Sequence, residues 1–169
     1  MCKVTLYLVR HGDTEENKQR ILQGHLPGTL TDEGKNQARM VGRELRHESL
    51  QVIYSSDLKR CVDTTQILNE EMLLPVHYLT LLRERDWGKT TGVSLLKERV
   101  SIDPNAESVE AMQERARKLI ALWLKECAGK KVLVVSHGLF LRILTAVVQN
   151  VSYKEVVPLK NAEIRVLTL

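Results

Sequence analysis

The chain has 169 residues, 43% of them apolar and 27% charged, with a net charge of +4; this is the make-up of one compact α/β-sized domain with a core of its own, here residues 1–169. One Phe, two Trp and four Tyr, with no dense Lys/Arg stripe among them, leave little for base stacking and argue against a nucleic-acid partner. No apolar run is long enough to span a bilayer, Met1-Cys2-Lys3 leads straight into strand-like sequence, and Cys2, Cys61 and Cys127 are odd in number and scattered, so the expectation is a reducing cytoplasm with no membrane partner and no disulfide framework.

Val4 to Val9 reads as a buried strand and ends in Arg10-His11-Gly12. A polar loop is expected from Asp13 to Thr31, then a helix capped by Thr31 or Asp32, with Ala38, Val41 and Leu45 on one face. Val52-Ile53-Tyr54 is a short strand ending at Ser55-Ser56, which are expected to cap the next helix. That helix carries Leu58, Cys61, Val62, Thr65 and Leu68 at three- and four-residue spacing, and Arg60 in its first turn. Pro75 precedes a strand from Val76 to Leu79, followed by Leu81-Leu82-Arg83-Glu84 and a loop holding Gly88 and Gly92. Glu107 to Cys127 predicts a helix with the stripe Val109, Met112, Ala116, Leu119 and Trp123. The strand Val132 to Val135 leads into Ser136-His137-Gly138, then a nearly all-apolar helix from Leu139 to Val148, and Ala162 to Leu169 reads as the last strand. Alternation of this kind predicts an α/β three-layer sandwich: a largely parallel central sheet with helices on both faces.

In such a sheet the ligand crevice lies at the carboxyl ends of the strands. Four of these ends carry Arg10 and His11, Ser55-Ser56 with Arg60, Glu84, and His137. Two guanidiniums suit a phosphate dianion, because each makes charge-assisted, often bidentate bonds. A histidine can attack phosphorus, and a carboxylic acid can protonate the leaving alkoxide. The pattern reads as phosphoryl transfer without a metal or other cofactor. His25, His47 and His77 have no metal-ligand spacing, no Gly-x-Ser-x-Gly elbow surrounds Ser55 or Ser56, and no Gly-x-x-x-x-Gly-Lys loop is present.

In order along the chain, Leu8 to Thr14 with Asn17, Leu30 to Gly34, Tyr54 to Arg60, Leu82-Arg83-Glu84 with Trp87-Gly88, Glu107-Ser108 with Arg115, and Val134 to Gly138 resemble the motifs of the histidine phosphatase superfamily, which includes the cofactor-dependent phosphoglycerate mutases. The resemblance runs from Leu6 to about Asn161. It implies that His11 is the nucleophile, that Arg10, Arg60 and a protonated His137 bind the phosphoryl oxygens with Gly138 beside them, and that Asn17 adds a hydrogen bond. It further implies that Gln23 and Gly24 line the pocket, and that Glu84 is the general acid and then the base. Attack requires an unprotonated nitrogen on His11, so the other nitrogen should donate to a nearby backbone carbonyl, and the clustered cations should lower its pKa.

The segment Lys89 to Ala106 is too short for the basic lid of the family's mutases, which favours a phosphatase acting on a small phosphorylated metabolite. Lys89, Lys97 and Arg99 on that segment either meet a second anionic group or form a solvated face. The loop Gly24 to Leu30 lacks the family's usual Asp and Pro, and Glu16 replaces a common aromatic before Asn17; both departures bear on substrate choice. The alternatives are an α-ribazole 5′-phosphate phosphatase specifically, a phosphoglycerate mutase, a protein phosphohistidine phosphatase (disfavoured by Glu84), or a phosphate-ligand sensor. A sensor should have lost one of the five charged residues, and none is lost. The expected assembly is a monomer or a homodimer.

Overall fold

A computed structural model describes residues 3–96 and 99–169; Cys2 and Lys97 lie outside the described residues. The strands are β1 (Thr5–Arg10), β2 (Val52–Ser55), β3 (Val76–Tyr78), β4 (Lys131–Ser136) and β5 (Ile164–Thr168). The helices are α1 (Glu15–Lys18), α2 (Asp32–Leu45), α3 (Lys59–Asn69), α4 (Val109–Glu126) and α5 (Gly138–Gln149). Among the described residues the strands form one five-stranded sheet in the order β3-β2-β4-β1-β5. The first four are mutually parallel, and β5 runs antiparallel to β1 at one edge.

The sheet is sandwiched because its strands are apolar on both sides. Leu6, Leu8, Val132 and Val134 point to the layer holding α4 and α5, with Trp123, Met112 and Phe140. Val9, Ile53, Leu133 and Val135 point to α2 and α3, with Val41, Leu45 and Leu68. Strand alternation thus divides the core into two layers. The helical stripes follow: Met112, Ala116, Leu119 and Trp123 of α4 are all fully buried. Thr31 caps α2 by accepting from the Gly34 N–H at 2.9 Å, and Ser108 caps α4 through the Ala111 N–H at 3.0 Å.

Two sequence expectations need correction. The polar stretch after β1 contains a helix, α1, held by a capping box in which Thr14 and Asn17 exchange side-chain-to-backbone bonds. Neither Ser55 nor Ser56 is the N-cap of α3, which is Leu58 with no side-chain bond; the Ser56 hydroxyl accepts from the Leu58 N–H at 3.3 Å just ahead of the helix, and that of Ser55 bonds the Ser56 carbonyl and Thr65.

Register makes the chemistry converge. Arg10 pairs with Ser136 across β1 and β4, and Ser55 pairs with Val135 across β2 and β4. The strand ends are therefore level, and His11, Ser56 and His137 emerge side by side. Close backbone packing holds the exit from β1 against α2: a Cβ on Gly34 would stand 2.8 Å from the Asp13 nitrogen, and one on Gly12 would stand 3.0 Å from the Gly34 carbonyl carbon. Backbone cannot yield as a side chain can, so Gly34→Ala is expected to cost about 1–3 kcal/mol of stability by overpacking. Urea denaturation measures this, and a change within error of zero would show that the contact relaxes freely.

Candidate active site

His11 leaves β1 buried, and its Nδ1 lies 2.8 Å from the Gly12 carbonyl oxygen. A carbonyl only accepts, so Nδ1 carries the proton and Nε2 keeps its lone pair in the neutral ring. Burial is the largest cause holding the His11 pKa well below the usual histidine range, with the Arg60 and Arg10 charges next. Carbonyl contact and lowered pKa agree with the sequence expectation, although desolvation leads over the cations. The Gly12 N–H donates to Thr64 Oγ1 at 3.1 Å, and Asn161 Nδ2 donates to the His11 carbonyl at 3.0 Å, which fixes the backbone on both sides of the ring.

The cavity beside His11 has a volume of about 130 Å³, and its walls include Arg10, Asn17, Gln23, Gly24, Arg60, Glu84 and Gly138, with Ile21, Leu22 and Trp87. Every sequence-predicted site residue except His137 is on that wall. Arg10 Nη1 donates to the Leu159 carbonyl at 3.0 Å, while Arg60 Nη2 donates to the Gly24 carbonyl at 2.9 Å and Nη1 to that of Leu26. In both side chains the Nε–H is buried without a protein partner, as is Gln23 Oε1. Buried donors left over on two guanidiniums at one cavity are what an anion would satisfy. Asn17 Oδ1 accepts from the Thr14 N–H at 3.3 Å and from Asn161 Nδ2 at 3.2 Å, so its own amide N–H₂ is the end available to a ligand.

His137 lies behind this wall with no exposed surface, its ring centroid 5.4 Å from that of His11 at an angle of 62°. Its Nε2 is 2.8 Å from Ser56 Oγ and 3.5 Å from Cys61 Sγ. Burial first, then Arg60, His11 and Arg10, hold its pKa well below the usual value. Without a phosphoryl group beside it, desolvation among cations disfavours the protonated ring that the resemblance implies for the bound state. The Cys61 thiol, fully buried beneath the ring, is pushed up to about 12 and stays protonated.

Glu84 accepts from the backbone N–H groups of Arg85 at 2.9 Å and of Leu139 and Phe140 at 3.2 Å, the latter two in the first turn of α5. The loop that carries it is clamped on all sides. Arg115 donates to the carbonyls of Leu81 and Arg83 and pairs with both oxygens of Glu107. Arg83 makes a bidentate pair with Asp57, and Ser136 Oγ donates to the Leu82 carbonyl at 2.6 Å. The motif residue Arg115 therefore positions Glu84 without lining the cavity. Ser56, read in the sequence as a cap, meets the Leu58 N–H at the start of α3 and also holds His137; this second role and that of Arg115 depend on contacts that no local pattern announces.

Lys89 and Arg99 line a separate cleft of about 600 Å³ together with Asp103 and Ile102. Lys97 lies outside the described residues. No group of three or more His, Cys, Asp or Glu side chains placed to hold a metal occurs among the described residues. No helix among them is long and apolar enough to cross a membrane.

Residues 6–169 match the family described as Histidine phosphatase superfamily (branch 1). The chain is 37% identical over 136 residues to the uncharacterized phosphatase PhoE of Bacillus subtilis, covering 78% of this chain and 70% of that one. It is 33% identical over 158 residues to the probable phosphoglycerate mutase GpmB of Salmonella arizonae, covering 85% and 74%. Among solved structures, Bacillus stearothermophilus YhfR superposes with a TM-score of 0.89 at 25% identity, covering 96% of this chain and 90% of that one. A putative α-ribazole-5′-P phosphatase from Escherichia coli shares the fold with a TM-score of 0.86 at 24% identity, covering 98% and 90%. With its level strand ends and two guanidiniums at one cavity, the chain belongs to the histidine phosphatase superfamily and is a phosphatase of that family.

Proposed function

We propose that the protein hydrolyses small-molecule phosphomonoesters in two steps, through a phosphohistidine on His11 and without a metal. The observation that supports this most directly is the pairing of an unprotonated Nε2 on His11 with the unused Nε–H groups of Arg10 and Arg60 at one cavity. Nε2 attacks phosphorus as the bond to the ester oxygen breaks, and Glu84 gives its proton to the departing alkoxide. Water then attacks the phosphohistidine and loses a proton to Glu84, returning free His11, inorganic phosphate and a protonated acid. Arg10 and Arg60 stabilise the negative charge spread over the phosphoryl oxygens of a loose transition state, with Asn17, Gln23, Gly24 and Gly138 completing the pocket.

Burial and the neighbouring cations disfavour a proton on His137 in the absence of an anion. A phosphoryl group beside Arg10, Arg60 and His137 offsets their mutual repulsion, so the ring takes up its proton together with the substrate, and Ser56 Oγ is placed to accept one of the two resulting N–H groups. The shortness of the segment Lys89 to Ala106, which leaves no room for a basic lid over the site, argues for hydrolysis over mutase action. α-Ribazole 5′-phosphate is one monoester the reading admits, resting here on likeness of fold.

The proton role of Glu84 is tested by changing the leaving group. Glu84→Gln is expected to slow hydrolysis of alkyl phosphates by about 10²-fold or more, the contribution of a positioned acid. It should slow p-nitrophenyl phosphate far less, since that phenolate departs without a proton. Steady-state phosphate release, with chelator present, measures both. Equal losses on the two esters would overturn the assignment of Glu84 as the acid, and phosphate release that required an added divalent cation would overturn the metal-free route.

A further inference from the structure

A side-chain amide on the cavity wall has two ends of opposite use to an anion: its N–H₂ donates, and its oxygen repels. For Asn17 the choice is made by what holds the other end. The Thr14 backbone N–H, which can only donate, lies 3.3 Å from the amide and so identifies the bonded atom as Oδ1. Asn161 Nδ2 reaches the same oxygen at 3.2 Å, from 144 positions further along the chain. Two N–H donors thus fill the two lone pairs of one oxygen. Turning the amide over would set its own N–H₂ against both.

Asn161 is oriented by the same logic. Its amide lies 3.0 Å from the His11 carbonyl, which can only accept, so the atom placed there is Nδ2. That nitrogen carries two protons, one for each of its acceptors. The His11 carbonyl has a second donor in the Ala162 N–H at 3.3 Å, so the backbone at the nucleophile keeps a partner without Asn161. Asn17 is less well secured. It belongs to α1, which is four residues long and buries none of them. Asn17 lines the cavity, whereas Asn161 stands behind it, at the turn that leads into β5.

We infer that Asn161 is a positioning residue for the phosphoryl site: it holds Asn17 with the N–H₂ toward the anion and touches no reacting atom itself. This rests on the reading of Asn17 as a donor to the phosphoryl group and adds the residue that orients it. The turn before the last strand thereby sets the polarity of a group on the first loop.

The test is a double-mutant cycle read by calorimetric titration of the purified full chain with orthovanadate, which needs no turnover. Asn161→Leu removes the donor at similar volume, and Asn161→Asp, the same shape, puts an acceptor in its place. Each is made alone and together with Asn17→Ala. Asn17→Ala alone should weaken binding by about tenfold or more, as loss of a hydrogen bond to a charged group does. Asn161→Leu should weaken it by about three- to tenfold, and Asn161→Asp by at least as much as Asn17→Ala. In the Asn17→Ala background, Asn161→Leu should cost less than about twofold, and the effect of Asn161→Asp should shrink by about fivefold or more. A purely structural role would weaken binding equally in both backgrounds; that result, or unaltered binding in both single Asn161 variants, would overturn the inference while leaving hydrolysis intact. Coupled binding in a protein that releases no phosphate from p-nitrophenyl phosphate would sink the hydrolytic reading and uphold this one.

Discussion

His11→Ala is expected to lower kcat by on the order of 10⁴–10⁶-fold, as loss of a covalent nucleophile does, while the protein stays folded. The ring contributes its chemistry from a costly position: it is buried between Arg10 and Arg60 and kept neutral by that burial. The same arrangement fixes a pH dependence of stability. The pKa values of His11 and His137 are both depressed in the folded state, so the folded protein refuses protons that the unfolded chain accepts. Stability is therefore unaffected above the ordinary histidine pKa of about 6.5 and falls as pH drops below it. The slope reaches about 1.4 kcal/mol per pH unit for each ring. In His11→Ala one of the two contributions is gone, so urea unfolding monitored between pH 7 and pH 5 should show about half the slope of the unaltered protein. Quenching during turnover with labelled substrate in alkaline detergent should trap acid-labile, base-stable phosphate on the unaltered protein and none on the variant. A variant that keeps more than a few per cent of its activity would require another nucleophile.

Substitution of Arg60 should be nearly as damaging, and lysine should not rescue it. Arg60 is almost wholly buried on the cavity wall; it spans the Gly24 and Leu26 carbonyls with its two terminal nitrogens, and its Nε–H is buried without a protein partner. One planar group thus folds the pocket loop and serves the anion at once. Arg60→Ala is expected to lower kcat/KM by about 10²–10³-fold, the effect of deleting a transition-state donor, and to weaken inhibition by vanadate in parallel. Two stranded carbonyls add a loss of about 1–3 kcal/mol each where water cannot reach them. Lysine keeps the charge, but a single ammonium cannot bridge two carbonyls and still face the ligand. Arg60→Lys within about fivefold of the unaltered kcat/KM would show that charge alone suffices, against the geometric argument.

What the sequence made legible was whatever short-range pattern decides. The apolar runs Val4–Val9 and Val132–Val135 announced β1 and β4, and their trailing His-Gly pairs announced the edge on which chemistry would collect. Thr31 announced the start of α2, and the stripe from Met112 to Trp123 announced the buried face of α4. Helix α1 escaped because four polar residues carry no apolar period; the Thr14-x-x-Asn17 capping box was its available signal. The lowered pKa of His137 escaped because it depends on burial, which residue identity does not report. Ser56 and Arg115 act across 81 and 32 or more positions of sequence, respectively, on His137 and on the Leu81 and Arg83 carbonyls. Such roles appear only once strand register is known.

Asn161 ties the carbonyl of His11 to the side chain of Asn17, and the Ala162 N–H bonds the Arg10 carbonyl at 2.9 Å, just before the chain enters β5. The first strand therefore waits for the last to lock its reactive end. Loop closure over about 150 positions is entropically demanding and late. A ribosome that has exposed β1 through α5 has made every charged group of the site, yet the histidine backbone is still unstapled. Peeling β5 from the sheet edge in the mature protein would return it to that unfinished condition, so local opening at this edge and loss of turnover should share one free energy.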